Sequence, residues 1–257
     1  MNELAVIGQG ATAEVFEWTN GDCLKLFKQG YEDSARQEFH VSQQIMRTPL
    51  RIAKPKQLIQ YQDRIGIIYE RISGNSFGFI IMNDPSKMKA WAEQFARLHA
   101  EIHQSPLPDL PSPEEQLNGY IAHCSLLSDM QKSKLLSFLS SRSDIKALCH
   151  FDFHPLNVLR SEEQDVVIDW NNGKIYHPLA DVALTTVLLK VSGFPEQLAL
   201  SFCKNYIDAY LQLSGYDPQS FLHFQIAAAI ARLNEKKAHE TEAIERIIQH
   251  NLQLLLM

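Results

Sequence analysis

The chain has 257 residues, 45% hydrophobic and 21% charged, with 24 Lys and Arg against 30 Asp and Glu. That apolar content excludes a disordered chain, and a net charge of −6 argues against non-specific nucleic-acid binding, which depends on neutralising phosphates. No apolar run approaches the ~18 residues of a membrane helix, MNELAVIGQG lacks the basic segment of a secretory signal, and Cys23, Cys124, Cys149 and Cys203 form no C-x-x-C pair. A cytoplasmic protein with reduced thiols is expected.

In chain order, Leu4–Gly8, Ala13–Thr19 and Asp22–Phe27 read as strands rich in Val, Leu, Ile, Phe and Trp. Asn20-Gly21 lies between the last two and supplies φ > 0 for a tight hairpin turn. Glu32–Arg47 reads as a helix, followed by a second hairpin, Lys56–Tyr61 and Ile65–Tyr69, around Gln62-Asp63. Arg71–Gly74 breaks the strand pattern. Trp91, Phe95, Leu98 and Ile102 then recur at helical spacing after the start signal Asp84-Pro85. Pro106–Pro113, with four prolines in eight residues, is a connector. Helices are expected at 114–126, 129–142, 179–191, 195–213, 218–231 and 239–255, interrupted by the short apolar runs Ala147–Phe151 and Asp165–Asp169. A small β-rich part followed by a large helical one makes the fold class α+β.

Three stretches could carry chemistry. Gly8-Gln-Gly10-Ala-Thr12-Ala13 is a glycine-rich loop without the Walker A pattern. The chain continues from it as strand, so it joins two strands, as a flap over a triphosphate would. Lys25 stands on the short apolar strand that follows, and Glu38, in the next helix, could pair with it. The most informative segment is His150-Phe-Asp152-Phe-His154-Pro-Leu-Asn157, with Asp169 twelve residues beyond Asn157. Asp152, Asn157 and Asp169 offer oxygen donors, the chemistry of Mg²⁺ held beside substrate phosphates. In that arrangement Asp152 accepts the proton of an attacking hydroxyl. A transition-metal hydrolase site from His150, Asp152 and His154 is the alternative, though it leaves Gly8, Lys25 and Asn157 unused. His99 and His103 are i,i+4, but the zinc-protease pattern H-E-x-x-H is not met, and packing or surface histidines are expected. Lys236-Lys237 reads as a solvated helix face.

Taken together, G-x-G, Lys25, Glu38, HFDFHPLNVL and VVIDW resemble the aminoglycoside phosphotransferase and choline kinase family of protein-kinase-like small-molecule kinases. The resemblance spans residues 8–183. It implies a bilobed protein-kinase-like fold, with a small β-rich N-terminal lobe carrying one helix and a large, mainly helical C-terminal lobe, split as 1–73 and 74–257. It implies ATP and Mg²⁺ as cofactors and a small-molecule hydroxyl acceptor, with neither nucleic acid nor membrane as partner. By motif match, Asp152 would be the catalytic base, Asn157 and Asp169 the metal ligands, and Lys25 with Glu38 the phosphate grip under the flap of Gly8, Gly10 and Thr12. IIYERISG would be the hinge, with adenine on the Glu70 carbonyl and the Ile72 N–H. Asp181 would brace the catalytic loop. This chain departs from the family at Phe151, where glycine is common, and at Asn171-Asn172, where an acid often follows I-D-W. A catalytically silent nucleotide-binding module is the alternative from another class. Residues 1–73 carry 9 basic and 9 acidic side chains and residues 74–257 carry 15 and 21, so the whole acidic excess falls in the second part.

Overall fold

The computed structural model describes residues 4–161, 164–191 and 193–256. The first part is a five-stranded antiparallel sheet: β1 (Val6–Gln9), β2 (Ala13–Glu17), β3 (Asp22–Phe27), β4 (Pro55–Tyr61) and β5 (Arg64–Glu70), in the order β1-β2-β3-β5-β4. Asn20 and Gly21 both take positive φ, 60° and 77°, as the dipeptide predicts. The Trp18 N–H donates to the Asp22 carbonyl at 3.0 Å, closing the turn, so β2 stops at Glu17 instead of running on to Thr19. β1 starts and ends later than Leu4–Gly8, because its pairing with β2 slips between Val6 and Gly8. The second hairpin closes at Tyr61 and Arg64 across Gln62-Asp63, with Gln62 at φ 53°.

α1 (Glu32–Ile45) has two working faces. Ala35 packs with Ala13, Phe27, Ile67 and Tyr69 in a small core beneath the sheet. One to three turns later, Val41 and Ile45 join the large core of the rest of the chain. Gly173 lets that second face approach: a Cβ there would meet Val41 Cγ1 at 2.9 Å and the Trp170 carbonyl at 3.3 Å.

Beyond β5 come β6 (Asn75–Ser76), α2 (Phe77–Asn83), α3 (Met88–Gln104), α4 (Glu114–Ala122), α5 (Asp129–Ser140) and β7 (Ala147–Cys149). β8 (Val158–Arg160), β9 (Asp165–Val167), β10 (Lys174–Tyr176), α6 (Pro178–Val191), α7 (Glu196–Ser214), α8 (Pro218–Leu233) and α9 (Thr241–Leu254) follow. The strands form two small sheets, β10-β7 and β6-β8-β9. α5 begins with a capping box, in which the Ser128 hydroxyl accepts from the Gln131 N–H while the Gln131 side chain takes the Ser128 N–H. α2 was not expected from the sequence; Ser76 caps it by accepting from the Phe79 N–H. α4 and α5 end earlier than expected, at Ala122 and Ser140. Lys236 and Lys237 are exposed, but in the turn between α8 and α9, with Lys236 at φ 57°, so the expected helix face is corrected to a loop. None of the described helices is long and apolar enough to cross a membrane. All four cysteines are free thiols, and Cys124, Cys149 and Cys203 are buried.

Candidate active site

β3 and α1 bring Lys25 and Glu38 together. The Lys25 ammonium donates to both Glu38 carboxylate oxygens, at 2.8 and 2.7 Å, and the Tyr69 hydroxyl donates to Oε1 at 2.9 Å. Lys25 also reaches Asp169 Oδ1 at 3.1 Å, across from the opposite part of the chain. Burial alone would drive the Lys25 proton off, but the two carboxylates outweigh it and hold the ammonium charged. In the flap, the Gly10 N–H donates to the Ala13 carbonyl at 2.8 Å. The Lys28 ammonium ties the loop down by donating to the carbonyls of Gly10 and Ala11, at 3.0 and 2.9 Å, and the Lys28 N–H bonds the Thr12 carbonyl at 2.8 Å. Gly8, Gly10 and Ala13 all lie outside the left-handed region. A Cβ on Gly8 would come within 3.5 Å of Val15 Cβ.

The short β8–β9 hairpin brings Asn157 and Asp169, twelve residues apart, to the same end of the strand pair. Asn157 immediately precedes β8 and Asp169 lies just past β9, and the Ile168 N–H donates to the Asn157 carbonyl at 2.9 Å. The Asn157 amide N–H₂ donates to the Asp152 carbonyl at 3.0 Å and to Asp152 Oδ2 at 3.3 Å. This turns the amide oxygen of Asn157 away from Asp152. Asp169 takes a left-handed conformation, φ 64° and ψ 61°, which a short polar side chain tolerates better than most. Trp170 is buried behind it, its indole N–H donating to the Val167 carbonyl at 3.1 Å.

His150 is spent on the backbone. Its Nδ1 accepts the Asp152 N–H at 3.2 Å, so Nε2 carries the proton and donates to the Ile168 carbonyl at 3.0 Å. With both ring nitrogens engaged, His150 cannot ligate a metal with Asp152 and His154, and the hydrolase alternative loses a ligand. His154 Nε2 lies 3.6 Å from Asp152 Oδ1. The loop is braced from below by Asp181, which accepts the N–H of His150 through Oδ2, at 2.5 Å, and that of Phe151 through Oδ1, at 2.9 Å. Phe151 sits at φ 54°, a conformation that glycine adopts freely and an aromatic residue does not. The phenyl side chain at this position therefore comes at the cost of a strained backbone.

Charge is out of balance in the cleft. Burial and the neighbouring Asp169 push the Asp152 carboxyl up to about 7, opposed in part by Arg232. Asp169 is itself held low: burial would raise it, but Lys25 more than compensates. Burial and the neighbouring His150 push His154 down to about 4, so its ring is neutral near pH 7. Sequence reasoning missed Arg232, which is locked by Glu240, at 2.6 Å on two nitrogens, and by Glu235, at 2.6 Å. It also missed Lys28 and Tyr69, because neither the flap clamp nor the third partner of Glu38 has a local sequence signature.

The donor set suits Mg²⁺. Asp169 offers one carboxylate and Asn157 one amide oxygen, both hard oxygen donors of the kind Mg²⁺ takes beside phosphates, and they lie next to Asp152. Glu70 ends β5 with its N–H given to the Lys54 carbonyl at 2.9 Å, and Ile72 follows in the irregular segment before β6. Lys25, Glu38, Asp152, Asn157 and Asp169 therefore form one connected cluster, with Gly8 on β1, Gly10 and Thr12 in the loop between β1 and β2, and Glu70 and Ile72 at the exit from the sheet.

Comparison with known proteins agrees with this architecture. Among solved structures, a thermostable mutant of aminoglycoside phosphotransferase APH(4)-Ia, in a ternary complex with ADP and hygromycin B, superposes with a TM-score of 0.67 at 12% identity, covering 98% of this chain and 93% of the other. A choline/ethanolamine kinase family protein from Mesorhizobium loti gives 0.59 at 14% identity, covering 98% and 88%. The amicoumacin kinase hAmiN, in complex with AMP-PNP, Ca²⁺ and Ami, gives 0.58 at 16% identity, covering 96% and 87%. These likenesses establish a protein-kinase-like fold. No curated protein sequence matches the chain. The phosphotransferase enzyme family matches residues 3–222, most of the chain, and the protein belongs to that family.

Proposed function

We propose that the protein is an ATP- and Mg²⁺-dependent phosphotransferase that moves the γ-phosphoryl group to a hydroxyl of a small molecule. One observation carries the reading: Lys25 links Glu38 to Asp169, and Asp169 shares its cleft with Asn157 and Asp152. The nucleotide complexes of two similar structures, with ADP and with AMP-PNP, support ATP as the donor, and the Ca²⁺ in one supports a divalent cation beside it.

In this reading residues 1–73 grip the nucleotide and residues 74–257 hold the catalytic loop and the acceptor. Adenine bonds the Glu70 carbonyl and the Ile72 N–H. Gly8, Gly10 and Thr12 cover the phosphates, and Lys25, oriented by Glu38, neutralises them. Asn157 and Asp169 would hold Mg²⁺, which supplies positive charge to the phosphate oxygens. Asp152 accepts the proton of the acceptor hydroxyl as its oxygen bonds to the γ-phosphorus, and the bond to the bridging oxygen breaks to leave ADP. A carboxyl raised toward neutrality is well matched to that proton transfer. Positioning and electrostatics do most of the work, since phosphoryl transfer needs little covalent help. The same reading places the enzyme in the cytoplasm, where ATP is available and free thiols persist.

The test is a panel of small hydroxylated acceptors with MgATP, following ADP by a coupled assay and the phosphorylated product by mass spectrometry, with Asp152→Asn as the control. Acceptor-dependent ADP that disappears in the variant is expected. MgATP binding without turnover across the panel would replace the reading with a silent nucleotide-binding module, and stoichiometric zinc in the purified protein would revive the hydrolase.

A further inference from the structure

Beneath the loop that carries Asp152 lies a second, buried polar cluster that no step above uses. His99 and His103 are one turn apart on α3, and Tyr206 and Tyr210 are one turn apart on α7. The two helices pack so that the pairs form rungs: His99 Nδ1 lies 2.6 Å from the Tyr206 hydroxyl, and His103 Nδ1 lies 2.6 Å from the Tyr210 hydroxyl. The opposite ring nitrogens converge on one atom, Asp181 Oδ2, at 3.0 Å from His99 Nε2 and 3.4 Å from His103 Nε2. Asp181 and His99 are completely buried and His103 nearly so. Asp181 in turn holds the backbone N–H groups of His150 and Phe151, the two residues that lead into Asp152. The His99 ring also lies 4.1 Å, centroid to centroid, from Phe153, the residue after Asp152.

We propose that Tyr206 and Tyr210 are positioning residues of the catalytic loop, acting through His99 and His103 on Asp181. Each hydroxyl donates to Nδ1, which leaves the proton on Nε2, so both rings turn an N–H toward the same carboxylate. The reverse tautomers would set two bare nitrogen lone pairs against Asp181 Oδ2 in a buried site, where that repulsion is costly. An ionised Asp181 keeps both oxygens on the loop amides, and the loop geometry around Asp152 follows. The contact from His103 is aligned as a hydrogen bond, whereas His99 Nε2 approaches without that alignment. Tyr210 therefore carries more of the effect than Tyr206.

Three donor atoms from His99, His103 and Asp181 are also close enough together to hold a metal ion. The network is favoured because each Nδ1 already faces a tyrosine hydroxyl at 2.6 Å, and the tautomer measurement below separates the two: a metal would take the place of the Nε2 protons.

The experiment uses the full chain, wild type and Tyr210→Phe, with ¹⁵N-labelled histidine. Wild-type spectra should show the proton on Nε2 of both His99 and His103. In Tyr210→Phe the His103 signature should change, amide exchange at His150 and Phe151 should accelerate by about tenfold, the loss of roughly one hydrogen bond, and amides of α8 and α9 should not follow. The kinetic arm rests on the phosphotransferase reading: kcat for MgATP consumption with an active acceptor should fall with KM for MgATP unchanged. The spectroscopic arm does not depend on that reading, so the two can fail separately. Nδ1–H tautomers in the wild type, a bound metal on the two histidines, or uniform acceleration of exchange throughout the large core would each overturn the proposal. If Tyr210→Phe does not fold, the wild-type tautomers decide it.

Discussion

The loop of residues 150–157 separates two carboxylates that burial pushes the same way and their neighbours push apart. Asp152, above the loop, keeps about a third of its side chain exposed, yet burial and Asp169 push its carboxyl up to about 7. Asp181, below the loop, is completely buried, yet it is held far below the usual carboxylate range: burial opposes the charge, but two histidines and two backbone N–H groups outweigh it. Depth does not decide the sign; the supply of donors does. The upper acid receives one long side-chain hydrogen bond, from Asn157 at 3.3 Å, and stays partly exposed. The lower one is saturated and serves as a fixed support.

The comparison breaks first at Asp152. Asp152→Asn should lower turnover by about 10²–10⁴-fold while the protein stays folded and still binds MgATP. Stability should move the other way. Between its ordinary value near 4 and about 7, folded Asp152 retains a proton that the unfolded chain has released, so its effect on stability becomes less favourable as pH rises through that window. In metal-free protein the variant should therefore match wild type at or below pH 4 and melt higher at pH 8, as thermal unfolding will show. Full retained turnover would remove Asp152 from the chemistry, and identical melting at both pH values would show that its burial costs nothing.

Asp181→Asn should do the reverse. It replaces one acceptor oxygen with an N–H₂ group facing backbone N–H donors, and it removes the charge from the rest. The loss of charge-assisted bonds to two amides should cost about 3 kcal/mol, or roughly 10 °C in the melting point of a chain this size. The pH signature is also inverted: a depressed carboxyl contributes its stability above the usual carboxylate value and loses it as pH falls. The gap between wild type and variant should then be widest near neutrality and narrow in acid. A variant as stable as wild type at pH 7 would mean that the lower cluster supports nothing.

What could be read in the sequence follows this division. Asp152, Asn157 and Asp169 stand within one short segment, and a hairpin is enough to bring them together, so their association was legible. Asn20-Gly21 announced its turn because no other dipeptide serves a left-handed pair as well. The support below the loop was not legible. It joins α3, α6 and α7 with the loop, and nothing local marks His103 as the partner of Tyr210 or either as the neighbour of Asp181. The histidines were expected to be packing or surface residues, and burial agrees with the first, but their hydrogen bonds arise only from the packing of α3 on α7. α2 escaped notice for another reason: Phe77–Asn83 is apolar on most sides and contains Gly78, so it offers no amphipathic period to detect.

The smallest expected effect is the sharpest test of the loop itself. Phe151 and Phe153 flank Asp152, and only Phe151 has a left-handed backbone. Replacing Phe151 with glycine relieves about 1–2 kcal/mol of backbone strain and gives up the packing of a half-buried ring together with some chain entropy. The two sides nearly cancel, so Phe151→Gly should melt within a few degrees of wild type, and turnover should persist because the amide bonded to Asp181 remains. Phe153 has no strain to release: it is fully buried and stacked on Phe95 at 4.2 Å. Phe153→Ala should cost about 3–5 kcal/mol, as deletion of a core aromatic does. Equal losses from the two substitutions would mean that the left-handed turn before Asp152 carries no strain, and that Phe151 occupies its position for packing alone.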